Sequence, residues 1–393
     1  MSVWAGLVGQ EDAVEVLARA VEDAGDPVGP GPAMSHAWLI TGPPGSGRST
    51  AAGAFAAALQ CSADGCGDCP TCRTARSGAH PDVRIVRSDT ISYGVEDARE
   101  LILRSAVIPS DAPWHIVIIE DADRFTEEAA NALLKVLEEP PRHLVWVLCA
   151  PSAEDVLPTV RSRTRSVQLR TPSTTEVARA LQEREGVDPA MAAFAARASQ
   201  GHIGRARALA TDEEVRQRRQ DVMRIPASLR DLSSCFTAAA NLLAAATEDA
   251  RTITDALDDR EMADLRRAYG DGADGVSAAR IERMASRAMK DLQKAQKSRR
   301  TRAVRDQVDR ALIDLMAYYR DVLVIQLGGA VALINDEMRP QLQSEAALCN
   351  PADTTARLNA LDRCRQALAA NGALPLVLEG LMVELKDPAI LVR

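Results

Sequence analysis

The sequence is poor in aromatic residues and in long apolar runs. Only 3% of its 393 residues are aromatic, so it offers no evident series of stacking platforms for the bases of a single strand. No stretch approaches roughly 18 uninterrupted apolar residues, and the amino terminus lacks the basic-then-apolar pattern of a signal peptide. The net charge of -8 disfavours nonspecific nucleic-acid binding by the whole surface, although it is compatible with a local basic patch. We therefore expect a cytoplasmic protein.

The length and the apolar content set the scale of the fold. A chain of 393 residues exceeds one ordinary domain, so two or three domains are expected. With 46% apolar residues, each domain has enough material for a hydrophobic core.

A glycine-rich loop follows the first apolar run. Ala37 to Ile40 predicts a buried strand, and Thr50 to Leu59 is an alanine-rich stretch that favours helix. Between them, GPPGSGRS over residues 42–49 has the spacing of a phosphate-binding P-loop, whose backbone N–H groups curl around phosphates and whose hydroxyl binds Mg²⁺. The strand, loop and helix context favours this interpretation over a chance glycine turn.

The charged residue of this loop is changed. Arg48 stands where a P-loop has lysine. Arginine keeps the positive charge, but its planar guanidinium is bulkier than an ammonium, so the exchange is not conservative in a closely wrapped loop. The loop is therefore either a working nucleotide site or a remnant of one.

An acidic turn follows a second buried strand. His115 to Ile119 predicts a strand buried on both faces, and it ends in Glu120-Asp121. Acidic residues at the end of such a strand, beside a P-loop, usually hold Mg²⁺ and the attacking water, in the order Asp then Glu. The reversed order here would displace both ligands, and a solvated acidic turn is the alternative. The predicted nucleotide-site residues are Gly42, Gly45, Gly47, Arg48, Ser49, Thr50, Glu120 and Asp121.

Four of the eight cysteines are clustered. Cys61, Cys66, Cys69 and Cys72 form a C-x4-C-x2-C-x2-C run. In a cytosolic protein this spacing favours metal binding over disulfides, and four thiolates predict a closed, structural zinc site. Free clustered cysteines and a redox C-x-x-C pair are the alternatives. The other four, Cys149, Cys235, Cys349 and Cys364, are scattered and are interpreted as small buried hydrophobes.

A predicted helix and a short arginine motif follow the acidic turn. Residues 131–140, NALLKVLEEP, predict an amphipathic helix that ends at proline, and Ser162-Arg163-Thr164 lies beyond the next predicted strand. With the P-loop and the cysteine run, these segments resemble the AAA+ clamp-loader subunits of bacterial DNA polymerase III over roughly residues 1–210. The altered lysine and the reordered acids are most similar to the delta-prime type, and the tau/gamma type is the near competitor.

The resemblance implies roles for particular residues. The family's Ser-Arg-Cys motif, which supplies an arginine finger to the ATP site of a neighbouring subunit, falls on residues 162–164, so it implies that Arg163 is that finger; a plain basic loop is the alternative. The family's nucleotide-sensing arginine falls by strict spacing on Gly204, with Arg205 one residue late and turned by about 100° on a helix. Val8-Gly9-Gln10 resembles the adenine-side segment.

The resemblance also implies the fold class and its division. It implies an α/β AAA+ module, a parallel sheet with flanking helices, over residues 1–170 with the zinc-binding insertion at 61–72. A small helical lid over 171–212 and an all-α collar, or oligomerisation, domain over 213–393 would follow.

A basic stripe lies in the carboxyl third. Its members advance by three and four residues and so share one helix face: Arg280, Arg283, Arg287, Lys290, Lys294 and Lys297. A solvated helix face is one interpretation, and a contact with DNA phosphate or an acidic partner is the other.

The sequence thus predicts a structural subunit of the DNA polymerase III clamp loader. It would act with tau/gamma and delta subunits in a hetero-oligomer, and with the sliding clamp and primed DNA through that complex. Zinc is the expected cofactor. ATP with Mg²⁺ ranks second as a cofactor, because the changed loop, the reordered acids and the displaced sensor all point to a silent nucleotide site. An ATP-hydrolysing tau/gamma-like motor and a zinc-dependent DNA-binding module are the rival hypotheses.

Overall fold

The computed structural model describes residues 2–25, 30–86, 92–105, 108–109, 112–270 and 278–388. Within the two longest helices, side chains are not described at 264, 266–270, 278–285, 287 and 291. The chain forms two compact units, Met1–Thr211 and Asp212–Arg393. Each is described separately below.

Unit 1 is built on a parallel sheet of five strands. They are β1 (Ala37–Thr41), β2 (Val83–Val86), β3 (His115–Ile119), β4 (Leu144–Ala150) and β5 (Arg165–Gln168). Their spatial order is β2-β3-β4-β1-β5, with every neighbouring pair parallel. The residues of β1, β3 and β4 are all buried, as expected for central strands covered by helices on both faces.

Helices flank this sheet and follow it. They are α1 (Glu11–Ala24), α2 (Arg48–Gln60), α3 (Pro70–Ser77), α4 (Val95–Ser105), α5 (Glu127–Glu138), α6 (Pro158–Arg161), α7 (Thr174–Glu185), α8 (Pro189–Ser199) and α9 (Ile203–Thr211), with 3₁₀ turns at Val3–Gly6 and Ala122–Arg124. The predicted parallel sheet with flanking helices is confirmed.

The helix that carried the resemblance forms as its sequence predicts. At α5, the Thr126 hydroxyl accepts a hydrogen bond from the Ala129 N–H at 3.2 Å, which caps the first turn. Ala130, Leu133 and Leu137 are buried in the core against the sheet. Prolines at 140 and 141 follow its end, where they cannot continue a helix.

Unit 2 is helical throughout its described part. It contains α10 (Glu213–Met223), α11 (Ile225–Ser228), α12 (Leu232–Gly270), α13 (Ala278–Gln326), α14 (Arg339–Leu348), α15 (Pro351–Ala369) and α16 (Leu374–Lys386), with a 3₁₀ turn at Asp336–Met338. None of the described helices is both long and apolar enough to span a membrane.

A buried polar cluster ties α10 to α13 and to the segment before α14. The Arg219 guanidinium donates to Asp314 at 3.2 Å and also to the Asn335 amide oxygen. Asn335 in turn donates its side-chain N–H to Asp321 at 2.9 Å. Because these four side chains are almost fully buried, their mutual hydrogen bonds offset the cost of removing them from water.

Candidate functional site

The glycine-rich loop joins β1 to α2 and turns through backbone conformations that favour glycine. Gly47, the residue before α2, has a φ of 97°, and Gly45 has a φ of 86°. A side chain at either position would be strained. The loop thus presents its backbone at the amino end of a helix, which is where phosphates bind in P-loop proteins.

Arg48 is turned back onto the loop that carries it. Its Nη1 donates a hydrogen bond to the carbonyl oxygen of Gly42 at 2.9 Å. A P-loop lysine instead extends toward the β and γ phosphates. The guanidinium therefore holds the two ends of the loop together, and this contact could not be read from the sequence.

The segment between α8 and α9 packs against the same loop. A Cβ atom added to Gly45 would lie 2.5 Å from the Cβ of His202 and 2.6 Å from its Cα. His202 Nδ1 accepts a hydrogen bond from the Arg205 N–H at 3.2 Å, which fixes the ring at the start of α9. His202 therefore covers the glycine-rich loop. The sequence analysis named its neighbours Gly204 and Arg205 but not His202.

Gln10 connects the amino-terminal segment to the loop and to the end of β5. Its side chain accepts from the Arg170 N–H at 3.0 Å and donates to the Arg170 carbonyl at 2.7 Å. It also donates to the Ser46 carbonyl at 3.4 Å. Gln10 is 3% exposed, so these contacts are shielded from water and hold the predicted adenine-side segment in place.

A cleft beside this segment has the size of a small-ligand site. Its volume is about 330 Å³, and it lies between Val8-Gly9 and α7. Glu176 and Arg179 line it. The Arg170 guanidinium, which donates to Glu176 at 2.9 Å, lowers the pKa of that carboxyl to about 2, so Glu176 is ionised at neutral pH.

The acidic turn lies at the same edge of the sheet as the loop. Glu120 and Asp121 follow β3, which is separated from β1 by β4 alone. Burial raises the pKa of Asp123, with the charge of Asp121 adding to the rise and that of Arg48 opposing it. Burial also raises the pKa of Cys149 to about 12, reinforced by Glu120. Arg48 and the acidic residues therefore share one electrostatic environment. Asp123 and Cys149 also belong to it, although neither was among the predicted nucleotide-site residues.

Arg163 lies beside the amino end of β5, whereas the glycine-rich loop follows the carboxyl end of β1. It precedes β5 by two residues, and Arg165, the first residue of β5, pairs with Trp38 near the start of β1. The glycine loop begins four residues after Trp38, about 13 Å further along the strand. Arg163 therefore lies away from the glycine-rich loop of its own unit.

The three neighbouring arginines have different contacts. The Nε of Arg163 donates to Glu138 at 2.6 Å and its Nη1 donates to the Thr159 carbonyl at 2.8 Å, and the side chain is 33% exposed. Arg165 lies over the Trp38 ring, 5.2 Å from its centroid. Arg161 donates to the Ala153 carbonyl through a long contact of 3.4 Å. Arg163 is thus held at the surface by its ion pair with Glu138 and by hydrogen bonds to the Thr159 carbonyl and the Ser162 hydroxyl.

The four clustered cysteines converge at one point. Their sulfur atoms all lie within 4.8 Å of one another, and Cys61 Sγ is 3.8 Å from Cys66 Sγ and 3.9 Å from Cys69 Sγ. A tetrahedral zinc with bonds of about 2.3 Å places its sulfurs about 3.8 Å apart. All four are free thiols. The cluster therefore has the number of thiols and nearly the spacing that a four-thiolate metal site requires.

Local structure makes this cluster favourable for a cation. Cys61 follows the last residue of α2, and Cys69 precedes the first residue of α3 and accepts from the Cys72 N–H at 3.3 Å. Burial opposes ionisation of Cys61, but N–H groups of Cys66, Ala63 and Gly65 outweigh it and lower the pKa of this thiol to about 6. Outside the cluster, Cys149, Cys235 and Cys364 are buried as predicted, whereas Cys349 is half-buried.

The remaining predicted positions lie on helices. Gly204 is exposed and Arg205 is half-buried in the first turn of α9. The stripe Arg280 to Lys297 lies on α13, and the side chains of Arg280, Arg283 and Arg287 are outside the described residues.

Unit 1 thus combines a parallel sheet, a glycine-rich loop at the carboxyl end of β1, an acidic turn at the carboxyl end of β3 and three helices after β5. Residues 28–173 match the family model described as "DNA polymerase III, delta subunit". This match spans all five strands of the sheet, and it also covers the glycine-rich loop, the cysteine cluster and Arg163.

Individual relatives agree with this family. The DNA polymerase III subunit gamma/tau of Mycobacterium tuberculosis is 36% identical over 172 residues, which are 42% of this chain and 28% of the relative. The subunit delta' of Pseudomonas aeruginosa is 33% identical over 33% of this chain and 41% of its own length. That of Bacillus subtilis is 29% identical over 49% and 59%. The matched region is thus similar to DNA polymerase III subunits, although the chain spans less than a third of the mycobacterial relative.

A DNA polymerase III gamma subunit-related protein of Thermotoga maritima aligns with 96% of this chain and 99% of its own, at 17% identity and a TM-score of 0.42.

Proposed function

We propose that this chain is a non-motor, delta-prime-like subunit of a DNA polymerase III clamp loader. In this proposal it helps to load the sliding clamp onto primed DNA in the cytoplasm. It binds tau/gamma and delta subunits and contributes an arginine to a neighbour's ATP site. The single observation that carries the proposal is the contact of Arg48 with the Gly42 carbonyl, because it engages the only charged side chain of the phosphate loop within the loop itself.

The phosphate loop is poorly suited to hydrolysis in this state. Binding Mg²⁺-ATP would require Arg48 to leave the Gly42 carbonyl, and His202 to move from Gly45 if the phosphates need that space. The acids that would hold Mg²⁺ and water stand in the reverse of their usual order at 120 and 121. Alignment errors of about an ångström at such a site reduce rates by roughly 10²-fold.

The position of Arg163 supports a role in trans. Because it lies at the sheet edge opposite its own loop, it is available to a partner rather than to its own nucleotide site. Its ion pair with Glu138 is partly solvent-exposed, and pairs of this kind contribute only about 0–1 kcal/mol. Exchanging Glu138 for a nucleotide phosphate therefore costs little.

The remaining elements take structural roles in this proposal. Zinc on the four cysteines holds the end of α2 to α3. Residues 171–212 form the lid, and residues 213–393 form the collar through which the subunits associate.

Calorimetric titration with Mg²⁺-ATP tests the silent site. We expect no heat of binding for the zinc-loaded natural chain at micromolar concentrations, and none for His202→Ala alone, since Arg48 still bonds Gly42. Arg48→Lys is expected to restore measurable binding. Micromolar binding by the natural chain would overturn the proposal of a silent site.

Hydrolysis by a reconstituted complex tests Arg163. In complexes with tau/gamma and delta subunits, clamp and primed DNA, Arg163→Ala should slow hydrolysis at the adjoining site by roughly 10³-fold or more while leaving ATP binding unchanged. Arg163→Lys should not rescue it, because lysine lacks the planar fork. Arg142→Ala is the matched control, since Arg142 is an exposed arginine just before β4. Equal rates for the Arg163 and Arg142 variants would contradict the role.

A tau/gamma-like motor is the second candidate. It is favoured by one observation, the 36% identity to the mycobacterial gamma/tau subunit, which exceeds the identities to both delta' subunits. Binding and steady hydrolysis of ATP by the natural chain, abolished by Ser49→Ala, would establish this candidate instead.

A further inference from the structure

The helices α12 and α13 form a hairpin that continues past the apolar core of unit 2. Among the described residues, that core ends at Ala250 on α12 and begins at Ala303 on α13. Lys290 therefore lies 13 residues beyond the core, about 20 Å along the helix. The hairpin beyond the core is a separate surface that the proposed function does not use.

Polar contacts hold this part of the hairpin together. Arg299 donates to Asp258 at 2.8 Å and to Glu261 at 2.8 Å, and Arg300 donates to Asp255 at 2.9 Å. Asp258 is 7% exposed. Asp255, Asp258 and Glu261 of α12 are thus engaged by Arg299 and Arg300 of α13.

Three lysines occupy an exposed face of α13. Lys290, Lys294 and Lys297 are all exposed and are spaced by four and three residues, so they lie along one line about 10 Å long. None of them pairs with a carboxylate in the part of the chain that the structure describes. We call Lys290, Lys294 and Lys297 the lysine stripe.

The sequence makes this grouping unusual for the chain. Lysine occurs at five positions only, the other two being Lys135 and Lys386, whereas lysine and arginine together number 47. Three of the five lysines therefore share one face within eight residues. Arg280, Arg283 and Arg287 continue the same spacing in the sequence.

The stripe matches a regular polyanion. Lysine binds phosphate as a compact point charge, and each strand of duplex DNA carries one negative charge per about 3.4 Å of axis, so a 10 Å stripe matches about three phosphates of one strand. The segment 278–300 contains no aromatic residue that could stack on or read a base. The net charge of -8 means that any such binding is local rather than a property of the whole surface.

We propose that the lysine stripe on α13 binds the phosphate backbone of duplex nucleic acid without sequence preference. The inference goes beyond the proposed function and does not depend on it, because it concerns the isolated chain and no ATP site.

Fluorescence anisotropy of a mixed-sequence 24-base-pair DNA duplex, titrated with the full-length zinc-loaded chain, tests the proposal. The triple variant Lys290→Gln/Lys294→Gln/Lys297→Gln is expected to bind roughly tenfold or more weakly near 0.1 M salt. Its plot of log affinity against log salt should be shallower by about 2.7, because each lost phosphate contact removes about 0.9 from the slope. The charge-preserving triple arginine variant should retain the natural slope.

A matched loss of charge elsewhere is the control. Arg224, Arg339 and Arg363 are surface residues of unit 2 whose side chains are 67%, 52% and 53% exposed. Their triple glutamine variant removes the same charge and should keep the natural slope. Equal weakening by both triple variants, or no weakening by the lysine variant, would overturn the proposal. The proposal would also be overturned if the triple lysine-to-glutamine variant lost binding to polyglutamate, an acidic polypeptide, while its DNA affinity stayed unchanged. That outcome would assign the stripe to an acidic protein.

Discussion

At the scale of the residue, the Gln10 side chain joins the glycine-rich loop to the segment after β5. Its amide makes both hydrogen bonds to the backbone of Arg170 and a third to the Ser46 carbonyl. One side chain thereby satisfies backbone groups from two segments far apart in the sequence.

We predict that Gln10→Ala destabilises unit 1 by about 2–3 kcal/mol. The substitution leaves the N–H and carbonyl of Arg170 without these partners, and an unsatisfied buried group costs about 1–3 kcal/mol. Denaturant unfolding followed by circular dichroism measures the change. Gln182→Ala, at an exposed position of α7, is the control and should change stability by less than about 0.5 kcal/mol. Indistinguishable unfolding midpoints for the two variants would show that the Gln10 contacts do not contribute.

At the scale of the element, the cysteine cluster lies between the end of α2 and the start of α3, so a metal bound there would link the two helices. The loop between these helices also accepts a hydrogen bond from the amino-terminal turn, where the Val3 N–H donates to the Gly65 carbonyl at 3.0 Å. A metal that fixed the end of α2 would therefore also fix the amino-terminal turn, which precedes the segment lining the cleft beside α7.

We predict one tightly bound zinc per chain. Its removal by a chelator, or the substitution Cys69→Ser, should lower the unfolding temperature by roughly 10 °C, because metal binding supplies folding free energy to the loop. Metal analysis and calorimetric melting provide the measurements. Cys349→Ser, at a half-buried cysteine outside the cluster, should leave the zinc content unchanged. A reduced natural chain that purifies without zinc and melts unchanged on chelation would contradict the site.

At the scale of the whole molecule, the division after Thr211 separates two complete cores. Unit 1 has apolar clusters on both faces of its sheet, and unit 2 has one built from its long helices. Each core is formed by residues of its own unit.

We therefore predict that fragments 1–211 and 212–393 fold independently. Each should give a cooperative thermal transition and dispersed amide signals in nuclear magnetic resonance spectra, and only fragment 1–211 should bind zinc. A fragment cut inside unit 1, at 1–150, is the control and should not fold, because it lacks β5, which pairs with β1. Failure of both predicted fragments to give a cooperative transition would contradict independent cores.

The sequence by itself determined the features that depend on neighbouring residues. Glycine at 45 and 47 permits the backbone turn of the loop, the cysteine spacing brings four thiols around one point, and the apolar runs at 37–40 and 115–119 make buried strands. The same holds for α5, whose cap and apolar face are encoded within sixteen residues (126–141). Such local rules operate over a few residues, so a single sequence is sufficient to read them.

The tertiary structure alone decided which distant groups meet. No local rule brings His202 onto Gly45 or Glu138 onto Arg163, since these pairs are separated by 157 and 25 residues and meet only when the sheet and its helices pack. The direction of Arg48 depends likewise on the shape of the folded loop, because an arginine side chain has many rotamers and the sequence does not select one. The polar seam that engages Arg299 and Arg300, leaving the lysine stripe exposed, follows from the register of two long helices. Register is set by packing along their whole length, which the charge pattern of either helix does not specify.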